Sequence, residues 1–558
     1  MKIKSLVALF AVSAALVACG GGDINIDAQT NDNSNDNSTN NSNNVNVGGG
    51  SQEESTCASY TIDDSVTEGF YNGTDCVYSS SFVDIDAPLL ADATFKALPG
   101  SGVHLFDGSL VVGQSYSSTA DMNSAGITEG GDGPSITIEA GAVLAFGAGD
   151  FININRGSQI NAIGSKTRPI ILTGKDDVNG TLSSPEDDQA WGGVIINGFA
   201  VNNNCAYTGN RGESGFAMSA ECSNLFEGTE GITPVHSGGD NDADNSGRME
   251  YVVVKHAGSE VADGKEINGV TFNSVGNATV VNNLEVYSSY DDGIEFFGGA
   301  VDITNYVAVY VRDDSIDVDE GYIGTVDTAL VIQSETNGNH CVESDGLGGY
   351  GTPGDADRIA QGLNSAATII NLTCIVSPQA EGTHGEGAGL RIREAHFATI
   401  QNAIVTTAYL ADGKTEDDAS DDTDGNYCLR LESAEGLQAA VDGELMIEES
   451  IFACHDLSKG DDLPDGNTQV QFLQASNDVM QTAVTGQDPT AGSEPNIVIL
   501  DGFYSVPLVD MVVDGNVSTV TPVDGRAYIG AVLAAEDWTT DWTYGLHIGS
   551  RGQALWFE

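Results

Sequence analysis

The segment Asn283-Leu284-Glu285-Val286-Tyr287, followed by Asp291-Asp292-Gly293-Ile294-Glu295-Phe296, returns twenty-two residues later as Asn305-Tyr306-Val307-Ala308-Val309 and Asp313-Asp314-Ser315-Ile316-Asp317-Val318. The asparagine and both aspartates keep that offset. A repeat this short cannot enclose a core of its own, so each unit has to bury its apolar side against the next. The expected fold is all-β, a parallel β-solenoid in which each turn of chain stacks on the one before at ~4.8 Å. A sandwich or a propeller would need tight hairpins and longer or irregular repeats. Elsewhere, β-branched runs at 136–146, 151–163, 193–201, 301–312, 366–377 and 397–407 are separated by Gly, Asn and Asp, and helical periodicity is never sustained.

Stacking one repeat on another predicts columns. Strand alternation points Val270 and Phe272, Ile294 and Phe296, Ile316 and Val318, Val342 and Ser344, Leu390 and Ile392, and Leu429 and Leu431 inward. The residues between them then face outward as one row: Thr271, Glu295, Asp317, Glu343, Arg391, Arg430. Carboxylates ~5 Å apart repel by roughly 1 kcal/mol in water and by several times that at a partly buried surface. Glu295, Asp317 and Glu343, flanked by Asp291, Asp292, Asp313 and Asp314, therefore call for protonation or a bound cation. So many hard oxygen ligands suit Ca²⁺. The competing expectation is an acidic face left to solvent and salt screening.

The 558 residues hold 82 Asp plus Glu against 20 Lys plus Arg, a formal charge of -62. That charge repels phosphate backbones and anionic lipid surfaces, which excludes nucleic-acid binding. Lys2 and Lys4, then an apolar stretch over 6–16 too short to span a bilayer, read as a secretory signal at 1–18. Leu16-Val17-Ala18-Cys19 resembles the lipobox of bacterial lipoproteins. That resemblance implies a lipid on Cys19 and, with Gly20 next, anchoring in the outer membrane. The Asn-, Ser- and Gly-rich 19–55 cannot bury enough apolar area to order itself and reads as a tether. The remaining regions are an N-terminal β cap at 56–133, the solenoid at 134–510 and a C-terminal cap at 511–558. Apart from Cys19, the cysteines are Cys57, Cys76, Cys205, Cys222, Cys341, Cys374, Cys428 and Cys454. An even number in an exported chain fits four disulfides, neighbour pairing being the simplest arrangement.

With Trp191-Gly192-Gly193-Val194-Ile195-Ile196-Asn197-Gly198, the segments Asp291 to Gly299 and Asp313 to Tyr322, and Asp541-Trp542-Thr543-Tyr544-Gly545-Leu546, the chain resembles right-handed parallel β-helix proteins of pectate-lyase-like architecture. More narrowly, it is similar to a group of secreted or lipid-anchored bacterial members. The resemblance, over residues 134–558, specifies fold well and activity poorly.

Further candidates come from the residues. Asp240, Asp242 and Asp244 alternate on a loop in the manner of calcium ligands, although Asn245 stands where an EF-hand needs Gly and Tyr251 where it needs Glu. The acidic run 416–424 is a weaker case. Resemblance to pectate lyases implies a basic residue beside calcium, for which Arg391 and Arg393 are candidates, with Asp313 and Asp317 holding the ion. Asp313-Asp314-Ser315-Ile316-Asp317, Thr383-His384-Gly385-Glu386-Gly387 and Leu390-Arg391-Ile392-Arg393 look like polygalacturonase elements, but His384 and Arg391 lie too close in sequence for that family's pattern. Both arginines are also explained by ion pairs with the acidic row. Tyr287, Tyr290, Phe297, Tyr306, Tyr310 and Tyr322 are available for sugar stacking or packing. The histidines lack zinc spacing and read as structural; no CxxC, GxSxG or P-loop occurs in a fitting context. The expected role is calcium-dependent binding of a polysaccharide, or nutrient capture beside an outer-membrane transporter. The alternatives are a calcium-dependent polysaccharide lyase and a structural adhesion stalk.

Overall fold

Strand alternation sets up the architecture. In a computed structural model describing residues 56–225, 235–262, 265–347, 354–378, 384–385, 387–407, 427–481, 499–513 and 516–558, every second strand residue enters one continuous apolar core running the length of a parallel β-helix. The signal and tether expected at 1–55, Cys19, the run 416–424, Thr383 and Glu386 lie outside the described residues. No helix of the described residues is long and apolar enough to cross a membrane.

Each coil contributes to three faces. Face A is a ten-stranded parallel sheet that includes Val194–Asn197, Val270–Asn273, Ile294–Phe297, Ile316–Asp319, His340–Asp345, Ala388–Arg393, Tyr427–Leu431 and Asp456–Lys459. Faces B and C are the two halves of longer strands such as Gly247–Ala257, Val280–Ser289 and Asp302–Val309. These strands bend at Tyr251, Asn283, Asn305 and Thr328, all with positive φ. Asparagine tolerates that conformation better than most residues, and stacking lets each amide serve its neighbour. The Asn305 amide donates to Asn283 at 3.1 Å, Asn371 to Asp327 at 2.8 Å and Asn402 to Asn371 at 3.1 Å. The repeated asparagine of the sequence is thus the corner between faces B and C.

The inward residues named above line the core, where like stacks on like: Phe272, Phe296 and Tyr322 lie ring on ring at 5.4 and 4.0 Å, and Phe106, Phe146 and Trp191 at 4.7 and 5.1 Å. Disulfides join Cys57 to Cys76, Cys205 to Cys222, Cys341 to Cys374 and Cys428 to Cys454, each cysteine to its sequence neighbour.

Two boundaries differ from expectation. Parallel pairing begins at Cys76–Tyr78, which pairs with His104–Phe106, so part of 56–133 is already β-helix rather than cap. The segment 511–558 lies along face C instead of closing an end. The reason is the outward row Val253, Glu285, Val307, Leu330, Thr373, Ile404 and Ile451, too apolar to face water. Trp542, Leu546, Leu555 and Trp556 pack onto it as a second core. Its two polar members hold the cover in place: Glu285 accepts the Tyr544 amide at 2.7 Å, and the Thr373 hydroxyl accepts the Ala531 amide at 2.8 Å. Trp556 donates its indole N–H to the Gln333 carbonyl at 2.9 Å. Trp556→Ala is expected to weaken this cover by ~3–5 kcal/mol. Limited proteolysis should then cut within 516–558 well before the β-helix; equal resistance in both proteins would count against the cover.

Candidate functional site

The outward row of face A exists in the expected register. Thr271 pairs with Glu295, Glu295 with Asp317, Asp317 with Glu343, Glu343 with Arg391, and Arg391 with Arg430. It continues to Lys459 at one end, and through Ile195 and Asn153 to Val111 at the other. The row passes from apolar through acidic to basic.

The turn entering each face A strand adds a second set of acids. Backbone bonds from Gly269 to Asp292, Gly293 to Asp314 and Ser315 to His340 set Asn268, Asp292, Asp314 and His340 one above another. Asp314 N–H donates to the Asp292 carboxylate at 2.9 Å, and His340 N–H to that of Asp314 at 2.7 Å. The glycine after the paired aspartates is required by this close stacking. A Cβ on Gly293 would lie 2.4 Å from the Tyr306 hydroxyl and 2.6 Å from the Ser315 carbonyl.

Rows and turns together enclose a cavity of about 300 Å³. Asp291, Asp292, Glu295, Asp313, Asp314, Asp317 and Glu343 all line it, joined by Glu266, Asn268, Thr271 and His384. A solvated acidic face does not describe it. Relative exposure is 7% for Asp292, 6% for Glu295, 4% for Asp314 and 8% for Glu343, and Asp291, Asp313 and Asp317 are half-buried. Three groups bring ligand atoms within 4.8 Å of one another: Asp291, Asp292 and Asp313; Asp292, Glu295 and Asp317; and Asp314, His340 and Glu343.

The electrostatics follow from burial and crowding. Burial, reinforced by Asp291, Asp317, Asp313 and Asp314, pushes the Asp292 carboxyl well above the ordinary aspartate range. Glu295 rises through burial and the charges of Asp317 and Asp292. Burial also raises Asp314 and Asp317, each facing Glu343. Glu343 moves the other way: burial opposes its charge, but a hydrogen bond from Asp314 and the charges of His340, Arg393 and Arg391 hold it below its usual range.

The two arginine candidates are committed to ion pairs. Arg391 lies 2.9 Å from Glu343 and 2.6 Å from Glu432; Arg393 lies 2.9 Å from Glu343 and pairs with Asp345. Burial disfavours their charge, yet the surrounding carboxylates outweigh it and raise both pKa values. An arginine whose proton is held more tightly is a poorer base, which counts against either as a lyase base.

Asp240, Asp242 and Asp244 do not converge. Asp240 accepts from Met218 N–H, Asp242 is held by Arg211 at 2.7 and 2.8 Å, and Asp244 accepts from Gly130 and Phe199 N–H. Each closes a different loop contact, because among the described residues of 198–246 the only strands that satisfy amides by pairing are the short Tyr207–Thr208 and Ala217–Met218. Of the aromatics, Phe296, Tyr306 and Tyr322 are core and Tyr287 and Tyr310 lie under the C-terminal cover. Phe297 belongs to a small apolar cluster on face A. Tyr290 stands edge-on to His384 at 4.8 Å, beside the cavity.

Sequence reasoning assigns His340 and His384 a structural role and passes over Asn268. His384 Nδ1 lies 3.0 Å from Asp313 Oδ2, and its Nε2 is buried without a hydrogen-bond partner. Asn268, 6% exposed, donates to Glu295 and to Thr271 while its carbonyl oxygen has no partner. The available signal was register: Asn268 and His340 each lie one coil from an aspartate of the repeat.

Comparison with known families matches residues 115–486 to the pectate-lyase like beta helix domain. No curated protein and no solved structure matches the chain.

A pH dependence follows with a definite sign. Groups whose folded pKa is raised, as for Asp292, Glu295, Asp314 and Asp317, stabilise the fold below their unfolded values near 3.8 and 4.5 and lose that contribution as pH rises through the folded value. A divalent cation, once bound, would replace the lost protons. The difference in Tm between Ca²⁺-loaded and chelated protein should therefore widen from about pH 4 to about pH 8. Taking the difference cancels buried histidines such as His396, pushed down to about 3 by burial, which act oppositely. A constant or shrinking difference would contradict the account.

Proposed function

This chain belongs to the pectate-lyase-like β-helix family, and from that premise we propose that it is an outer-membrane-anchored protein that binds polysaccharide on face A through a divalent cation, Ca²⁺, held in the acidic cavity. The observation carrying the proposal is the stack of Glu295, Asp317 and Glu343 with Asp292 and Asp314 around one cavity, all of them buried except the half-buried Asp317. Glu295, Asp317 and Asp292 are the oxygen ligands, and the unpartnered Asn268 carbonyl adds a neutral one. Ca²⁺ accepts six to eight oxygens, so ligand hydroxyls or carboxylates complete its shell. A charge of -62 repels polyanions at long range, which favours neutral glycans over polyuronates. Cys19 supplies the lipid anchor in this reading.

A second reading, carbohydrate cleavage at the same site, is favoured by one contact. His384 faces Asp313 at 3.0 Å at the cavity edge. Burial lowers its pKa, but the Asp313 hydrogen bond and charge outweigh that and raise it above the usual value, as a general acid requires.

Two measurements test the main reading. Ca²⁺-loaded protein should be retained on a glycan panel and released by chelator, with Asp317→Asn lowering retention at least about tenfold; retention unchanged in chelator would overturn it. Cleaved products that disappear in His384→Ala would favour the enzymatic reading. For the anchor, Cys19→Ser should move the protein from the membrane fraction to the soluble fraction; unchanged fractionation would refute lipidation there.

A further inference from the structure

The cavity is not chemically uniform. The group formed by Asp292, Glu295 and Asp317 offers oxygen alone. Toward face A's basic end an imidazole enters the turn column: His340 occupies, one coil on, the position held by Asp292 and Asp314. Its Nδ1 lies 2.8 Å from Asp314 Oδ1 and 3.6 Å from Glu343 Oε2, and all three residues are buried. The other ring nitrogen, Nε2, lies 3.0 Å from the hydroxyl of the buried Tyr427, which fixes the ring plane from behind. Such an outer hydrogen bond orients metal-bound imidazoles generally. Glu343 divides its two oxygens: Oε1 meets both Arg391 and Arg393 at 2.9 Å, leaving Oε2 toward His340.

Eight carboxyl side chains line the cavity, and among the described residues the imidazole of His340 is the basic group set between two of them, Asp314 and Glu343, while His384 stands on Asp313 and two arginines share Glu343. At the opposite end, the partnerless, buried carbonyl oxygen of Asn268 is a polar atom still requiring a ligand.

We infer that the cavity holds two cations of different chemistry: a hard, oxygen-bound ion near Asn268, Glu295 and Asp317, and a borderline transition ion of the Zn²⁺ type held by Asp314 Oδ1, His340 Nδ1 and Glu343 Oε2. The first ion rests on the calcium reading above; the second does not. Ca²⁺ takes oxygen and avoids imidazole nitrogen, whereas Zn²⁺ and Co²⁺ accept mixed nitrogen and oxygen sets. The three protein ligands leave positions open for water or a ligand group, as in non-structural zinc sites.

The test uses full-length protein stripped by chelator and titrated with Co²⁺, read by visible absorbance, and with Zn²⁺, read by calorimetry, each in excess Ca²⁺. The inference expects a saturable Co²⁺ spectrum that Ca²⁺ does not abolish. His340→Gln should weaken Zn²⁺ at least about tenfold, and Tyr427→Phe by a smaller factor, with the Ca²⁺ midpoint unchanged. Glu295→Gln should do the reverse. The wild-type Co²⁺ spectrum stands even where a variant fails to fold. Displacement of Co²⁺ by Ca²⁺, or Zn²⁺ binding untouched by His340→Gln, overturns the second site alone. Absence of all cation binding overturns the calcium reading as well.

Discussion

In-register stacking is the constraint on which the rest depends. Coils one above another at the spacing of a β-ladder make every residue the neighbour of its counterparts. A column is tolerable only when its members attract one another or share something between them. Apolar and aromatic columns meet that condition by packing, and the asparagine corner meets it by amide-to-amide hydrogen bonds. Carboxylates meet it only with help. The acidic stretch of face A is thus the place where the fold, by itself, is least self-consistent.

Glu285 shows the same logic in another setting. It is a fully buried carboxyl in a row that is apolar apart from it and Thr373, raised well above its usual pKa by burial and partly offset by the Tyr544 amide and by Lys255. Its surroundings are supplied by the chain itself, through the cover folded back from the C-terminus. Among the described residues nothing of that kind covers the face A acids, which line a cavity instead. One buried acid is answered by protein; for the others the proposed answer is a cation.

Much of this was legible because alternation and repeat length act together. Once the twenty-two-residue offset fixed Glu295 beside Asp317, apolar alternation carried the row across longer coils to Glu343, Arg391 and Arg430. The illegible parts are those that period-2 patterning does not govern. Turn residues such as Asn268 and His340 have no strand phase, and His384 reaches Asp313 from a distant coil. Asp240, Asp242 and Asp244 carried a ligand-like spacing, but spacing does not reveal which backbone amides a loop must satisfy. The β-branched run at 301–312 reads the same whether its outer side meets solvent or a returning segment, so the cover was read as an end cap.

The central claim is that stacked, buried carboxylates on face A are neutralised by metal. Crystals soaked in a calcium-mimicking lanthanide and measured at its absorption edge test it most directly. The account predicts an anomalous peak ~2.3–2.6 Å from carboxylate oxygens of Glu295 and Asp317. A cavity without a peak at neutral pH, its carboxyls hydrogen-bonded to one another as protonated pairs, would contradict it.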